Sequence, residues 1–191
     1  MGTAVKRTWV AGFLLGLCAV PMAAEQGEVT GAFGFEFGQE IAPADLKALE
    51  DDEDGGPTYA VVPENPYGPL TEYAVAITPS THRVYRISAR GTFGSMQRCQ
   101  EELVKLEKAL ERKYAKTSGS RAFGFKDSPL ITFGQSPRKI RGNCTGTILH
   151  KTLTLSYFDE DLVREARAEA NPAGGGASAR DKDAPRDESG L

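Results

Sequence analysis

Strand periodicity dominates the chain. From Glu72 to Thr78, Tyr73, Val75 and Ile77 fall on one parity. Pro79-Ser80-Thr81-His82 supplies turn chemistry. From Arg83 to Gly91, Tyr85, Ile87 and Ala89 then alternate with Arg86, Ser88 and Arg90. The two runs predict a β-hairpin with one apolar face. Gly31–Phe37 alternates Phe33, Phe35 and Phe37 and reads as an earlier strand, and Thr58–Val62 as another. Pro63, Pro66 and Pro69 then predict an extended loop carrying Tyr67. In the second half, Ala122–Phe125, Leu130–Phe133, Arg138–Thr145 and Thr147–Tyr157 are strand-like, with Ile140 and Cys144 sharing a parity.

The period changes after Ser95, a credible N-cap. Met96, Cys99, Leu103, Leu106 and Leu110 step by three and four residues, with Tyr114 four later. This predicts an amphipathic helix over Ser95–Lys116, about five turns long. Shorter helices are expected at Ala42–Leu49, behind Pro43, and at Asp159–Ala170. The order implies an α+β fold, an antiparallel sheet with one long amphipathic helix packed on one face and short extra helices. Too few crossover helices are present for a doubly wound sheet.

The ends of the chain change the arithmetic. Lys6 and Arg7 precede an apolar run from Trp9 to Val20, and Pro21-Met22-Ala23-Ala24 is a small-residue exit. Residues 1–24 therefore read as a secretory signal, the apolar run being short of what ~30 Å of hydrocarbon requires. Leu15-Gly16-Leu17 before Cys18 argues against lipoprotein processing. Residues 171–191, with Pro172, the run Gly174–Gly176 and alternating charges, read as a disordered tail. One domain over residues 25–170 remains, large enough for an ordinary core.

The whole chain carries 23 basic and 26 acidic residues. Loss of Lys6 and Arg7 leaves 21 basic, a net charge of −5, which argues against a nucleic-acid partner. Of three cysteines, Cys99 and Cys144 survive cleavage. An even pair in an exported chain predicts a disulfide, worth about 4 kcal/mol in the chain-entropy model.

Little points to catalysis. With two histidines and no Cys/His set at metal-ligand spacing, neither a metal nor a cofactor is expected. Glu50-Asp51-Asp52-Glu53-Asp54-Gly55 resembles part of a calcium loop, but the twelfth position is Val61 and Pro57 lies inside, so a solvated acidic connector is expected. No Gly-x-Ser-x-Gly elbow or phosphate-binding glycine loop is found. His82 falls in a hairpin turn and His150 on the polar side of a strand. Arg138, Lys139 and Arg141 form a small basic patch, read as the guard of an edge strand.

In Phe33-Gly34-Phe35-Glu36-Phe37-Gly38, Tyr73-Ala74-Val75-Ala76-Ile77-Thr78-Pro79 and Lys113-Tyr114-Ala115-Lys116, the chain resembles small exported proteobacterial proteins of unknown function. The resemblance implies an envelope location and no activity. The expectation is therefore a periplasmic or secreted binding module with an envelope protein partner. Phe33, Phe35, Phe37 and Tyr67 are its candidate binding surface. A small hydrolase with dispersed acid and base residues, or a purely structural protein, are the alternatives.

Overall fold

The computed structural model describes residues 27–117, 130–147 and 150–172. The expected signal segment, the strand at Ala122–Phe125 and nearly all of the expected tail lie outside the described residues.

Among the described residues are nine strands and two α-helices: β1 (Gly31–Ala32), β2 (Phe35–Glu36), β3 (Lys47–Ala48), β4 (Thr58–Ala60), β5 (Glu72–Ile77), β6 (Val84–Phe93), α1 (Met96–Glu111), β7 (Leu130–Gln135), β8 (Arg138–Gly146), β9 (Lys151–Asp159) and α2 (Glu160–Ala170). β3 to β9 form one seven-stranded sheet in the order β3-β4-β5-β6-β9-β8-β7, with β1 and β2 a separate two-stranded ribbon. Every pairing is antiparallel.

This corrects the α+β expectation. The fold is mostly antiparallel sheet, and its two helices are short, 16 and 11 residues. The helical period runs through Tyr114, but α1 stops at Glu111 because the sheet claims the following backbone. Gly134 N–H donates to Ala115 O (2.8 Å) and Thr117 N–H to Thr132 O (3.1 Å). Residues 115–117 thereby cover the open edge of β7, which would otherwise present unpaired groups. The helix expected at Ala42–Leu49 is a 3₁₀ turn, Pro43–Asp45, followed by β3.

The predicted hairpin is β5–β6, in register from Glu72↔Arg90 to Val75↔Ile87. The strand expected over Gly31–Phe37 is instead a two-residue hairpin, with Phe33 (φ 58°) and Gly34 (φ 96°) at its turn. Positive φ at both turn residues suits the twist of the ribbon. For Phe it is costly, by roughly 1–3 kcal/mol. Burial of the ring offsets this: Phe33 meets Tyr73 edge-on at 5.0 Å and Tyr157 at 5.7 Å.

One sheet face and α1 enclose the main core. Val75, Ile77, Ile87, Leu153, Leu155, Ile140, Ile131 and Phe133 from the sheet meet Cys99, Leu103, Leu106 and Leu110 from α1. At its centre the Cys99–Cys144 disulfide ties α1 to β8, as the sequence predicts. On the opposite face α2 covers one corner, packing Val163 and Ala166 on Ala76 and Tyr85. Ser80 N–H donates to Glu169 Oε2 (2.7 Å), and Arg83 binds Glu165, so the β5–β6 turn is pinned to α2.

Candidate functional site

The site follows from strand parity. Residues registered opposite one another on adjacent antiparallel strands project from the same face. On the face away from α1, one row across β6, β9, β8 and β7 is Ser88, Ser156, Arg141 and Thr132. The rows beside it are Arg86, Phe158, Lys139 and Gly134, and Arg90, Thr154, Asn143 and Leu130. The cores of these strands satisfy the other face, which leaves this one polar and basic.

Part of this face forms a cleft of about 470 Å³, lined by Arg86, Thr132, Lys139, Arg141, Asn143, Ser156 and Phe158, with Glu53 and Thr117 at its rim. Phe158 is its floor. The Arg141 guanidinium lies 4.9 Å from the ring centroid and that of Arg86 5.9 Å. Such stacking holds a guanidinium in place while leaving its edge free to donate hydrogen bonds.

The charges of the cleft are unevenly satisfied. Arg86 contacts Asp52 (3.3 Å), Glu53 (3.0 Å) and Asp54. Lys139 Nζ binds Glu160 Oε1 at 2.5 Å. The hydrogen bond from Lys139, with a second from Ser136, holds the Glu160 carboxyl below its ordinary value. Arg141 has no carboxylate within ion-pair distance among the described residues. The side chains of Thr132, Ser156 and Asn143 make no hydrogen bond among them either.

The acidic connector is not simply solvated. Asp54 is buried, and it accepts from Arg86 and from Arg167 of α2 (Nε to Oδ1, 2.8 Å). The carboxylates of Asp52, Glu53 and Asp54 converge within 4.8 Å. A guanidinium already serves as their counter-ion. Burial raises the Asp52 carboxyl even though Arg86 opposes the shift.

The aromatic residues singled out in the sequence lie elsewhere, half-buried against the core. Tyr73 joins two of them, its ring meeting Phe33 and its hydroxyl bonding both the Tyr67 N–H (2.8 Å) and the Tyr67 carbonyl (3.1 Å). Tyr67 donates its own hydroxyl to Glu102 Oε1 at 2.5 Å. Burial and this bond push the Tyr67 phenol up to about 12. Phe37 lies beneath the Arg138 guanidinium at 5.9 Å. Phe33, Phe37 and Tyr67 thus brace the hairpin and the proline loop. None of the four, Phe35 included, lines the cleft.

The basic patch is divided rather than gathered. Arg138 turns to Asp159 (3.0 Å) and Glu28 (2.8 Å), whereas Lys139 and Arg141 face the cleft. Their strand is not an edge, since β7 flanks it. The signal that could have found the cleft is the second parity of β6, β8 and β9, which carries Arg, Ser, Lys, Asn and Thr. His82 and His150 do not converge. They sit near opposite ends of the ten-residue β6, His82 just before Val84 and His150 beside Lys151, the partner of Phe93, about 30 Å apart by strand rise.

Comparison with protein-family models, with curated proteins and with solved structures finds no match to this chain. Among the described residues, no helix is long and apolar enough to cross a membrane. The buried disulfide suits an oxidising compartment.

Proposed function

We propose that this chain is an exported binding module of the bacterial envelope, periplasmic or secreted, working through the polar sheet face between β6 and β7. The observation that carries the reading is the cleft on Phe158. Its Arg141, Thr132, Ser156 and Asn143 side chains offer hydrogen-bonding groups with no partner among the described residues. The signal-like segment and the disulfide support the location. Binding is favoured over hydrolysis because the acid at the rim, Glu53, is joined to Arg86 and neither histidine lines the cleft. A catalytic pair needs a free base within reach of a nucleophile.

The test is position-dependent cross-linking. A photoreactive residue at Ser88 or Thr154, on the open face, should capture one and the same envelope component. The same group at Val104, on the exposed side of α1, should not. Equal capture from all three positions, or capture from none, would refute the reading.

A further inference from the structure

We infer that the cleft on Phe158 is a site for a monoanionic carboxylate, with Arg141 as the recognising cation and Thr132 and Ser156 as flanking hydroxyl donors. The inference rests on the binding-module reading and names the ligand chemistry of the same face. Three features carry it.

First, Arg141 is oriented without being neutralised. Its exposed guanidinium lies 4.9 Å from the Phe158 ring centroid, and among the described residues no carboxylate is within ion-pair distance, although its charge helps to lower Glu160. A planar cation held this way presents two parallel N–H groups, the fork that matches a carboxylate.

Second, the two side chains registered beside it, Thr132 on β7 and Ser156 on β9, both carry hydroxyls. They flank the guanidinium on either side in one row. Asn143, one position along the same parity of β8, adds an amide that can donate to or accept from the body of the ligand.

Third, the surrounding charge selects the valence. Arg86 is already matched by Asp52, Glu53 and Asp54, and Lys139 by Glu160. Of the three cations lining the cleft, Arg141 is the one with no carboxylate within ion-pair distance among the described residues, so it can match one negative charge, and a dianion would bring surplus charge toward the four nearby acids. The cleft volume, about 470 Å³, is in the range of small-ligand sites.

The experiment is an NMR titration of the ¹⁵N-labelled full chain with N-acetylglycine, with its uncharged methyl ester, and with inorganic phosphate. N-acetylglycine should give saturable amide shifts centred on Thr132, Arg141, Asn143 and Ser156. The ester should bind at least about tenfold more weakly, having lost the charge-assisted bonds. Arg141→Gln should cause a similar loss, and Arg141→Lys should recover part of it. Thr132→Val, which keeps the side-chain shape, should weaken binding by a smaller factor. Thermal melting of each variant establishes that it is folded. Phosphate binding more tightly than N-acetylglycine, equal binding of acid and ester, or shifts untouched by Arg141→Gln would overturn the inference. If none of the probes shifts the cleft while the open-face cross-links persist, the carboxylate assignment fails and the binding reading stands. If the cross-links are also absent, both fail.

Discussion

Replacing Asp54 with Asn is a direct test of the acidic connector as a structural staple. The Asp54 side chain is 1% exposed and bridges Arg86, 18% exposed, to Arg167, 63% exposed. Removing one partner from a buried ion pair costs about 3–5 kcal/mol, most of it from the charge left behind. Here the loss is smaller. Arg86 keeps Asp52 at 3.3 Å and Glu53 at 3.0 Å, and Arg167 is mostly in water. The expected destabilisation is therefore about 2 kcal/mol for Asp54→Asn, and about 3 kcal/mol for Asp54→Ala, which also removes the acceptor. With a urea slope of roughly 2 kcal/mol/M, the first figure moves the unfolding midpoint by about 1 M. A double-mutant cycle should give Asp54 a coupling to Arg86 larger than its coupling to Arg167, which should be at most about 1 kcal/mol as for an exposed pair. A loss below about 0.5 kcal/mol for Asp54→Asn would refute the argument, because it would place Asp54 among ordinary surface acids.

Mutating Cys99 and Cys144 together to Ala should cost about 4 kcal/mol, since the bond closes a 45-residue separation, and two reactive thiols in native, non-reduced protein would show that the bond is absent in solution. Gly91→Ala should cost about 1–3 kcal/mol in urea melts, because the added Cβ would lie 2.2 Å from the Pro69 carbonyl oxygen, a backbone atom; parent-like stability would mean the proline loop shifts freely. Acid should weaken the fold. Glu102, Glu160 and Glu165 sit below the ordinary glutamate value of 4.5: for Glu102 burial pushes upward but bonds from Tyr67 and Lys105 outweigh it, while Lys139 lowers Glu160 and Arg83 lowers Glu165. Lowered carboxyls stabilise above their unfolded values and lose that contribution as pH falls through the folded ones, whereas Asp52, raised by burial, works in the opposite direction. Three groups against one give a falling urea midpoint below about pH 4.5, and a flat profile from about pH 6 to 3.5 would contradict it. Calcium titration should give no heat at micromolar ion, because Arg86 already occupies Asp52, Glu53 and Asp54; a micromolar response would show that the ion displaces it.

The sequence by itself determined the strands with clear alternation. β5 and β6 lie where Tyr73, Val75, Ile77, Ile87 and Ala89 place them, because a half-buried strand must alternate. The start of α1 and the cysteine pair were equally legible, the first from its cap and periodic leucines, the second from elimination of Cys18. Tertiary structure decided the rest. The length of α1 depended on whether residues 115–117 pair with β7, a contact between segments with no local signature. Phe33 could become a turn residue only because Tyr73 and Tyr157 bury its ring. The balance between helix and sheet depended on short strands such as β3, two residues long and too brief to show a period.

The same division applies to the site. Parity alone placed Arg86 and Ser88 on one side of a strand, and Lys139 and Arg141 can be separated from Ile140 and Cys144 in the same way. That these rows lie side by side, with Arg141 between Thr132 and Ser156, follows from the order β6-β9-β8-β7. Strand order is a long-range property. It is fixed by which faces bury together against α1, and nothing within any single strand encodes it.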